Sequence, residues 1–220
     1  MKTRFLLIAF LSLGFSIMTF AQETKGNDEI QTLFHRGEHK VSHGGYAAFT
    51  IGYTQISGED VLTLGGRAGW LIDHHVTLGL TGTALANSIY IDNVNQDQGM
   101  YLVGGYGGFF VEPIIAPRFP VHVSFPVTFG GGWVGYNDFS WTDGDWNSWE
   151  NDHNFSDSFY DSDVFYLLEP GVEIELNVVK CLRVSFGATY RFTTDFEMVN
   201  TPKDMMNGFS ANMSLKLGKF

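Results

Sequence analysis

The chain has few cysteines, few basic residues and few long apolar runs, and each shortage excludes a class of protein. Cys181 is the only cysteine among 220 residues, so the fold does not rest on internal disulfides. The 13 Lys and Arg residues stand against 24 Asp and Glu residues, and the net charge of −11 argues against a nucleic-acid partner. Beyond residue 21, no run of about eighteen uncharged apolar residues occurs, so no membrane-spanning helix is predicted there.

Residues 1–21 have the pattern of a secretory signal peptide. Lys2 and Arg4 precede an apolar run, and the small residue Ala21 ends it before a polar residue. A basic start, a short apolar segment and a small residue at its end predict cleavage after Ala21. A membrane anchor is the alternative, but the apolar run is short for one. Residues 22–43 are polar without sustained periodicity and are predicted to form a periplasmic lead-in.

A two-residue period dominates the remaining sequence and is clearest from Val61 to Leu85. Two alternating runs flank a break at Asp73, His74 and His75. Strict alternation of apolar and polar residues predicts β-strands with two different faces. Each run is about ten residues long, close to the length of a tilted strand that crosses a bilayer. Arg67 lies on the small, polar face, and a dry protein interior would not accommodate it.

The same period recurs along the chain and predicts eight strands, with a bulge at Pro126. The predicted strands cover residues 46–56, 61–72, 76–87, 99–111, 121–135, 164–176, 182–192 and 209–217. The polar segment 88–97 and the long segment 137–163 are predicted to be loops. The third, fifth and seventh connections are longer than the second and sixth, as expected if both termini are periplasmic. The first connection, Ser57 to Asp60, is shorter than this rule expects.

An even number of such strands predicts an all-β, antiparallel, up-and-down transmembrane β-barrel over residues 44–220. The apolar face would point to lipid and the polar face to the lumen. Eight strands leave a lumen just wide enough to be filled by side chains, so inward charges are expected to pair instead of lining a pore. The alternative for some of them is a position in water at a strand end. The predicted lumen ionic network consists of Arg67, Glu169, Glu173, Glu175, Arg183, Arg191 and Lys216.

Three features carry a family resemblance: the signal peptide with its eight alternating runs, the segments GGYAAFTIGYTQISGE (44–59) and GGRAGWLIDHH (65–75), and the terminal Phe220. Together they resemble the small outer-membrane barrels of the OmpA/OmpX type, including a group with no assigned activity. The resemblance implies a barrel in contact with outer-membrane lipids and lipopolysaccharide, and it implies no activity. In that family a terminal Phe is the signal for the barrel assembly machinery. Strand phase predicts that Phe220 faces the lumen.

The segment 137–163 is the most distinctive stretch, with eight acidic residues, seven aromatic residues and no Lys or Arg. Aromatic area and carboxylate acceptors suit an extracellular protein or glycan ligand. An EF-hand is excluded because Ser148 stands where the calcium loop requires glycine, although a looser divalent-ion contact stays open. A solvated loop whose aromatic residues pack on each other is the alternative. The candidate ligand loop residues are Trp141, Asp143, Asp145, Trp146 and Trp149.

Two histidine patterns offer weaker hypotheses. His122 and Ser124 resemble the His-x-Ser pair of outer-membrane lipid A deacylases, in which the histidine would activate the hydroxyl. Their strand phase, and a place near the periplasmic rim, favour a lumen-lining role instead. His35, His39 and His43 repeat every four residues, as metal ligands on a helix would, but nearby glycines disfavour a helix. No metal and no cofactor is predicted.

The expected function is that of a monomeric outer-membrane barrel without an open pore. Its role would be structural, or one of surface interaction through the acidic, aromatic loop. A lipid A hydrolase and a narrow porin-like channel are the alternatives. A secreted barrel of the lipocalin type is disfavoured by inward Arg and Glu residues together with ten-residue apolar outer faces.

Overall fold

The computed structural model describes residues 41–87, 89–95, 98–137 and 159–220, and these residues form ten β-strands. Within this part of the chain, no helix is long and apolar enough to cross a membrane. The strands are β1 (His43–Ile56), β2 (Glu59–Ile72), β3 (Val76–Leu85), β4 (Ile89–Asn95), β5 (Gln98–Ile115), β6 (Val121–Ser124), β7 (Val127–Asn137), β8 (Phe159–Val179), β9 (Leu182–Thr193) and β10 (Gly208–Lys219).

The ten strands form eight staves, a stave being one strand or two consecutive strands that follow one line in the wall. The staves pair antiparallel in the order β3, β2, β1, β10, β9 and β8, and pairing of β3 with β5 closes the ring. Strands β3 and β4 share a stave because both pair with β5. Strands β6 and β7 share another because both lie between β5 and β8. The prediction of an all-β, eight-stranded antiparallel barrel is confirmed.

The break between β6 and β7 falls at Phe125 and Pro126, where the sequence predicts an irregularity. Proline has no amide hydrogen and cannot donate to the strand ladder. Neighbouring groups compensate, since the Phe125 amide donates to the Pro113 carbonyl (2.9 Å) and the Gly171 amide donates to the Pro126 carbonyl (2.8 Å). The wall therefore continues across the break.

The two ends of the barrel differ in their connections. We call the end that carries His43 and Phe220 the terminal rim, and the opposite end the distal rim. The terminal rim has the short connections 73–75, 116–120 and 180–181. The distal rim carries the connection 194–207 and the tight turn Ser57–Gly58, where Gly58 adopts a φ of 87° that favours glycine.

Two segments that the sequence predicts as loops contain paired strands at the distal rim. Strand β4 lies in the segment 88–97 and pairs with the distal part of β5. The residues Ile89, Tyr90 and Ile91 are β-branched or aromatic, and this favours a strand although polar residues follow them. Strand β8 begins at Phe159, inside the predicted loop 137–163, and pairs there with the end of β7. Both loop predictions were too long because pairing with a neighbour outweighs local polarity.

Glycines on the inner face make room for large lumen side chains. The ring of Phe110 is fully buried against the wall formed by β2 and β3. A Cβ atom at Gly79 would come within 2.7 Å of that ring and within 2.1 Å of the Ala68 carbonyl oxygen. On the outer face of the same strand, a Cβ at Gly82 would meet no heavy atom within 4 Å.

An apolar core closes the distal mouth. Residues 194–207, which connect β9 to β10, fold into this core, and we call them the plug. The plug buries Phe196, Met198, Met205 and Met206. Their partners are distal side chains of the wall: Ile56, Val61, Met100, Leu102, Tyr106, Val134, Tyr136, Phe165 and Leu167. The main apolar core thus lies at the distal end, and the rest of the lumen holds most of the buried polar and charged side chains, together with Leu71, Phe110 and Ile114.

Candidate functional site

The outer face of the barrel is apolar around its whole circumference. Every stave contributes a large apolar side chain that is between 41% and 72% exposed. These include Phe49, Leu64, Leu80, Phe109, Phe129, Ile174, Phe186 and Leu215. Strand register aligns several of them in one row, with Leu80 opposite Phe109 and Phe109 opposite Phe129. Soluble monomers rarely expose a contiguous apolar area larger than a few hundred Å².

Inside the barrel, the half nearer the terminal rim holds three carboxylates around one ammonium group. The Lys216 Nζ atom lies 2.5 Å from Glu112 Oε1, 3.0 Å from Glu173 Oε2 and 2.5 Å from Glu175 Oε1. All four side chains are at most 2% exposed. Strand alternation places these side chains on the inner face of β5, β8 and β10. Closure of the barrel then brings the inner faces of these three staves together.

Two arginines complete this group, which we call the lumen network. Arg67 donates to Glu173 (2.7 Å) and to Glu112 (3.5 Å), and Arg183 donates to Glu175 (3.3 Å). With Lys216 they provide three positive charges for three carboxylates. Buried charges are tolerated when they are paired with opposite charges, and this network holds equal numbers of each sign. Among its atoms, Arg183 Nε is buried without a hydrogen-bond partner.

A second charged pair lies nearer the plug. Arg191 is fully buried, and its Nη1 donates to the Tyr106 hydroxyl (2.9 Å) while its Nε donates to the Met206 carbonyl in the plug (2.7 Å). The Glu169 carboxylate accepts from Thr189 (2.8 Å) and from the same tyrosine (3.4 Å). Tyr106 therefore links the two opposite charges. Of the seven residues in the predicted lumen network, five lie in one group, and Glu169 and Arg191 lie in this second one.

A small polar cavity separates the two charged groups. Its volume is about 40 Å³, and its lining is rich in hydroxyl groups. A buried water needs about 10–15 Å³ of such volume and two to four polar partners, so the cavity has room for about three waters. The lining includes Thr50, Thr63, Thr81, Thr83, Thr128, Thr189 and Asn212, together with one residue from each charged group, Arg67 and Glu169.

His122 and Ser124 face the lumen, and their geometry does not form a catalytic dyad. The His122 imidazole contacts Glu175 Oε2 (3.0 Å), while the Ser124 hydroxyl contacts Glu175 Oε1 (2.8 Å) and Glu112 Oε1 (3.2 Å). Both side chains are buried, with exposures of 3% and 0%. The serine hydroxyl thus contacts two carboxylates and is buried from the outer face.

Two lumen residues were not anticipated from the sequence. Glu112 lies two residues after Phe110 on β5, so both side chains face the lumen. This two-residue spacing is the signal that could have identified Glu112. The predicted strand ended at Val111 because Pro113 follows, whereas β5 continues to Ile115. Tyr46 donates to Glu112 Oε2 from the first stave.

Phe220 closes the terminal end of the lumen, on the side that strand phase predicts. Its ring lies 4.0 Å from the Arg183 guanidinium carbon and 5.8 Å from the Tyr46 ring. A cation over an aromatic face is an attractive contact, and here it places an apolar cover next to the lumen network.

The three network carboxylates have the spacing of a metal site. One oxygen from each of Glu112, Glu173 and Glu175 lies within 4.8 Å of the others. The Lys216 ammonium is in contact with all three, so the protein's own cation takes the central position. His43, from the other metal hypothesis, packs against Trp70 with ring centroids 5.4 Å apart.

Several predicted residues lie outside the described part of the chain. These are the signal peptide, most of the lead-in with His35 and His39, and the candidate ligand loop residues Trp141, Asp143, Asp145, Trp146 and Trp149. Their roles stay predictions.

No protein-family model and no curated protein sequence matches this chain. Among solved structures, Neisserial surface protein A superposes with a TM-score of 0.50 at 14% identity, over 83% of this chain and 100% of that one. The N-terminal β-barrel domain of OprF from Pseudomonas aeruginosa gives 0.46 at 8% identity, over 81% and 99%. Ail, the attachment invasion locus protein of Yersinia pestis, gives 0.45 at 8% identity, over 80% and 96%. The first similarity agrees with the small-barrel fold described above, and at this identity it concerns the fold alone.

Proposed function

We propose that the chain is an integral protein of the bacterial outer membrane with a sealed lumen, and that its role is structural or one of surface interaction. The two-sided wall carries this proposal. Its outer face exposes large apolar side chains on every stave, whereas its inner face holds paired charges. This arrangement is favourable only when hydrocarbon surrounds the barrel. In water, the apolar side chains would be exposed to solvent while the charges were shut away from it.

The height of the apolar face fits a bilayer. On β2, outward positions run from Leu62 to Ile72, which is about 33 Å along a strand at about 3.3 Å per residue. A tilt of about 40° reduces this to about 25 Å along the barrel axis, the usual height of the apolar band of such barrels. Aromatic side chains lie towards both ends, with Trp70 near the terminal rim and the contacting pair Tyr190 and Phe209 near the distal rim.

Two barriers argue against a pore. The lumen network fills the half nearer the terminal rim, and the plug with its buried Phe196 and Met206 fills the distal mouth. Between them lies the cavity of about 40 Å³. We therefore expect planar bilayer recordings of the purified protein to show no steady conductance, and a steady conductance would contradict the sealed lumen.

The membrane location is tested by fractionation. The protein should be recovered with the outer membrane and should migrate faster on gels before boiling than after it, as a folded barrel does. Phe109→Arg places a charge in the middle of the apolar face and should reduce the folded fraction, since such charges cost about 2–4 kcal/mol. The matched control is Tyr90→Arg, because Tyr90 is exposed on β4 at the distal rim. Recovery of the unmodified protein in the soluble periplasm would contradict the proposal.

We place the terminal rim in the periplasm and the distal rim outside the cell, because barrels of this type have short periplasmic turns and longer outer connections. The candidate ligand loop would then face the exterior, where it could contact a protein or glycan. In the periplasm the chain would meet the barrel assembly machinery, for which Phe220 is the proposed signal. On both sides it would contact lipid, including lipopolysaccharide.

The orientation has a test that uses a native reporter. Cys181 is exposed in a terminal-rim turn, and Ser57 lies in a distal turn. A membrane-impermeant maleimide applied to whole cells should label Ser57→Cys in a Cys181→Ser background. It should label the native Cys181 only after the outer membrane is permeabilised. The opposite labelling pattern would reverse the orientation and would remove the surface role of the loop.

A further inference from the structure

The distal core is rich in methionine. The described residues include five methionines, and four of them belong to one buried cluster at the plug. Their exposed fractions are 7% for Met100, 6% for Met198, 4% for Met205 and 0% for Met206. The fifth, Met213, is 47% exposed on the outer face of β10 and provides an internal comparison.

The plug is held by apolar packing and by single hydrogen bonds to several wall residues, without a strand ladder. The carboxylates of Asp163 and Asp161 accept from the amides of Glu197 (2.9 Å) and Val199 (2.7 Å). Arg191 contacts one carbonyl of the plug, as described above. The four thioether side chains are four of the thirteen members of the apolar cluster, so their burial contributes to keeping the mouth closed.

We propose that this methionine cluster is an oxidant-sensitive latch, which opens the distal mouth when its thioethers are oxidised by a peroxide or hypochlorous acid. With hydrogen peroxide, the O–O bond breaks and an S–O bond forms. The thioether sulfur is oxidised by two electrons to a sulfoxide, and the peroxide is reduced to water. The reaction thus converts an apolar side chain into a polar one.

An oxygen added to these sulfurs in the closed plug would meet mainly apolar groups. The cluster around the methionines consists of apolar groups such as Leu102 and Phe165. The Tyr136 hydroxyl lies 3.9 Å from the Met205 sulfur. That hydroxyl already makes a 2.8 Å hydrogen bond with Thr201. An unpaired buried sulfoxide would therefore favour the open plug, in which water solvates it.

Exposure sets the expected order of oxidation. Met198 and Met100, at 6% and 7%, are the most exposed members of the cluster, and we expect an aqueous oxidant to reach them first. Their oxidation loosens the plug and admits the oxidant to Met205 and Met206. The cluster should consequently oxidise as a cooperative group instead of as four independent sites.

The test uses the folded, full mature barrel in detergent micelles, treated with hydrogen peroxide. Mass spectrometry reports sulfoxide at each methionine, and chymotrypsin cleavage after the buried Phe196 reports opening. We expect cleavage after Phe196 to accelerate by at least about tenfold once Met198 is oxidised, which corresponds to about 1.4 kcal/mol. A variant with M100L, M198L, M205L and M206L keeps similar volume and should show no acceleration.

M198L alone provides a second variant in case the fourfold variant does not fold, and it should slow the oxidation of Met205 and Met206. Sulfoxide formation in the cluster without faster cleavage would overturn the proposal. The proposal would also be overturned if only Met213 were oxidised, or if cleavage after Phe196 accelerated equally in the leucine variants.

Discussion

Replacement of Lys216 by methionine tests the charge balance of the lumen. Its ammonium contacts three buried carboxylates at 2.5 to 3.0 Å. Methionine has a similar length but no charge, so the variant leaves three carboxylates for two arginines. Removal of one partner from a buried ionic contact costs about 3–5 kcal/mol. We expect the free energy of unfolding to fall by at least about 3 kcal/mol.

The measurement is a urea titration of the barrel in lipid vesicles, followed by tryptophan fluorescence and by gel migration without boiling. Lys219→Met, exposed on the same strand, is the control and should change stability by no more than about 0.5 kcal/mol. The double variant Lys216→Met with Glu112→Gln restores equal numbers of opposite charges and should recover at least half of the loss. A loss below about 1 kcal/mol, or a double variant no more stable than Lys216→Met, would refute the argument from charge balance.

Three further predictions concern the wall and the lumen. Gly79→Ala should abolish the fast-migrating folded band, because its Cβ would lie 2.1 Å from a backbone oxygen, whereas Gly82→Ala on the same strand should leave that band unchanged. Ser124→Ala should lower stability by about 1 kcal/mol and leave the lipid A profile unchanged by mass spectrometry, and an altered profile would revive the hydrolase hypothesis. Arg191→Met should cost about 3 kcal/mol in the same urea titration, because the buried Tyr106 hydroxyl and the Met206 carbonyl of the plug each lose a hydrogen bond to a charged group. Stability equal to that of the parent would show that the second charged pair is unimportant.

The sequence predicts which side chains share a face, because the period of a strand is two residues. Arg67, Arg183 and Lys216 therefore could be assigned to the lumen without a structure. Their partners could not be assigned, since Arg67 is 45 residues from Glu112 and 106 from Glu173. Such contacts depend on which staves face each other across the closed barrel, and alternation within one strand carries no information about that.

The plug, strand β4 and the beginning of β8 could not be predicted from the sequence, for a different reason. Residues 194–207 have neither a two-residue nor a 3.6-residue period, so nothing local marks Phe196 or Met206 as buried. Their burial follows from the shape of the mouth they close. Likewise, β4 is a strand because β5 offers it a pairing partner, and the polar residues that follow Ile91 do not prevent that pairing.

The central claim is that the apolar outer face contacts hydrocarbon. Spin labels at Leu80→Cys and Leu215→Cys, in a Cys181→Ser background and in lipid vesicles, measure this directly, with Ser57→Cys at the distal turn as the aqueous reference. We predict that the labels at positions 80 and 215 collide freely with oxygen and rarely with a polar nickel chelate, while the label at position 57 shows the reverse. Frequent collisions of the chelate with the labels at positions 80 and 215 would contradict the claim.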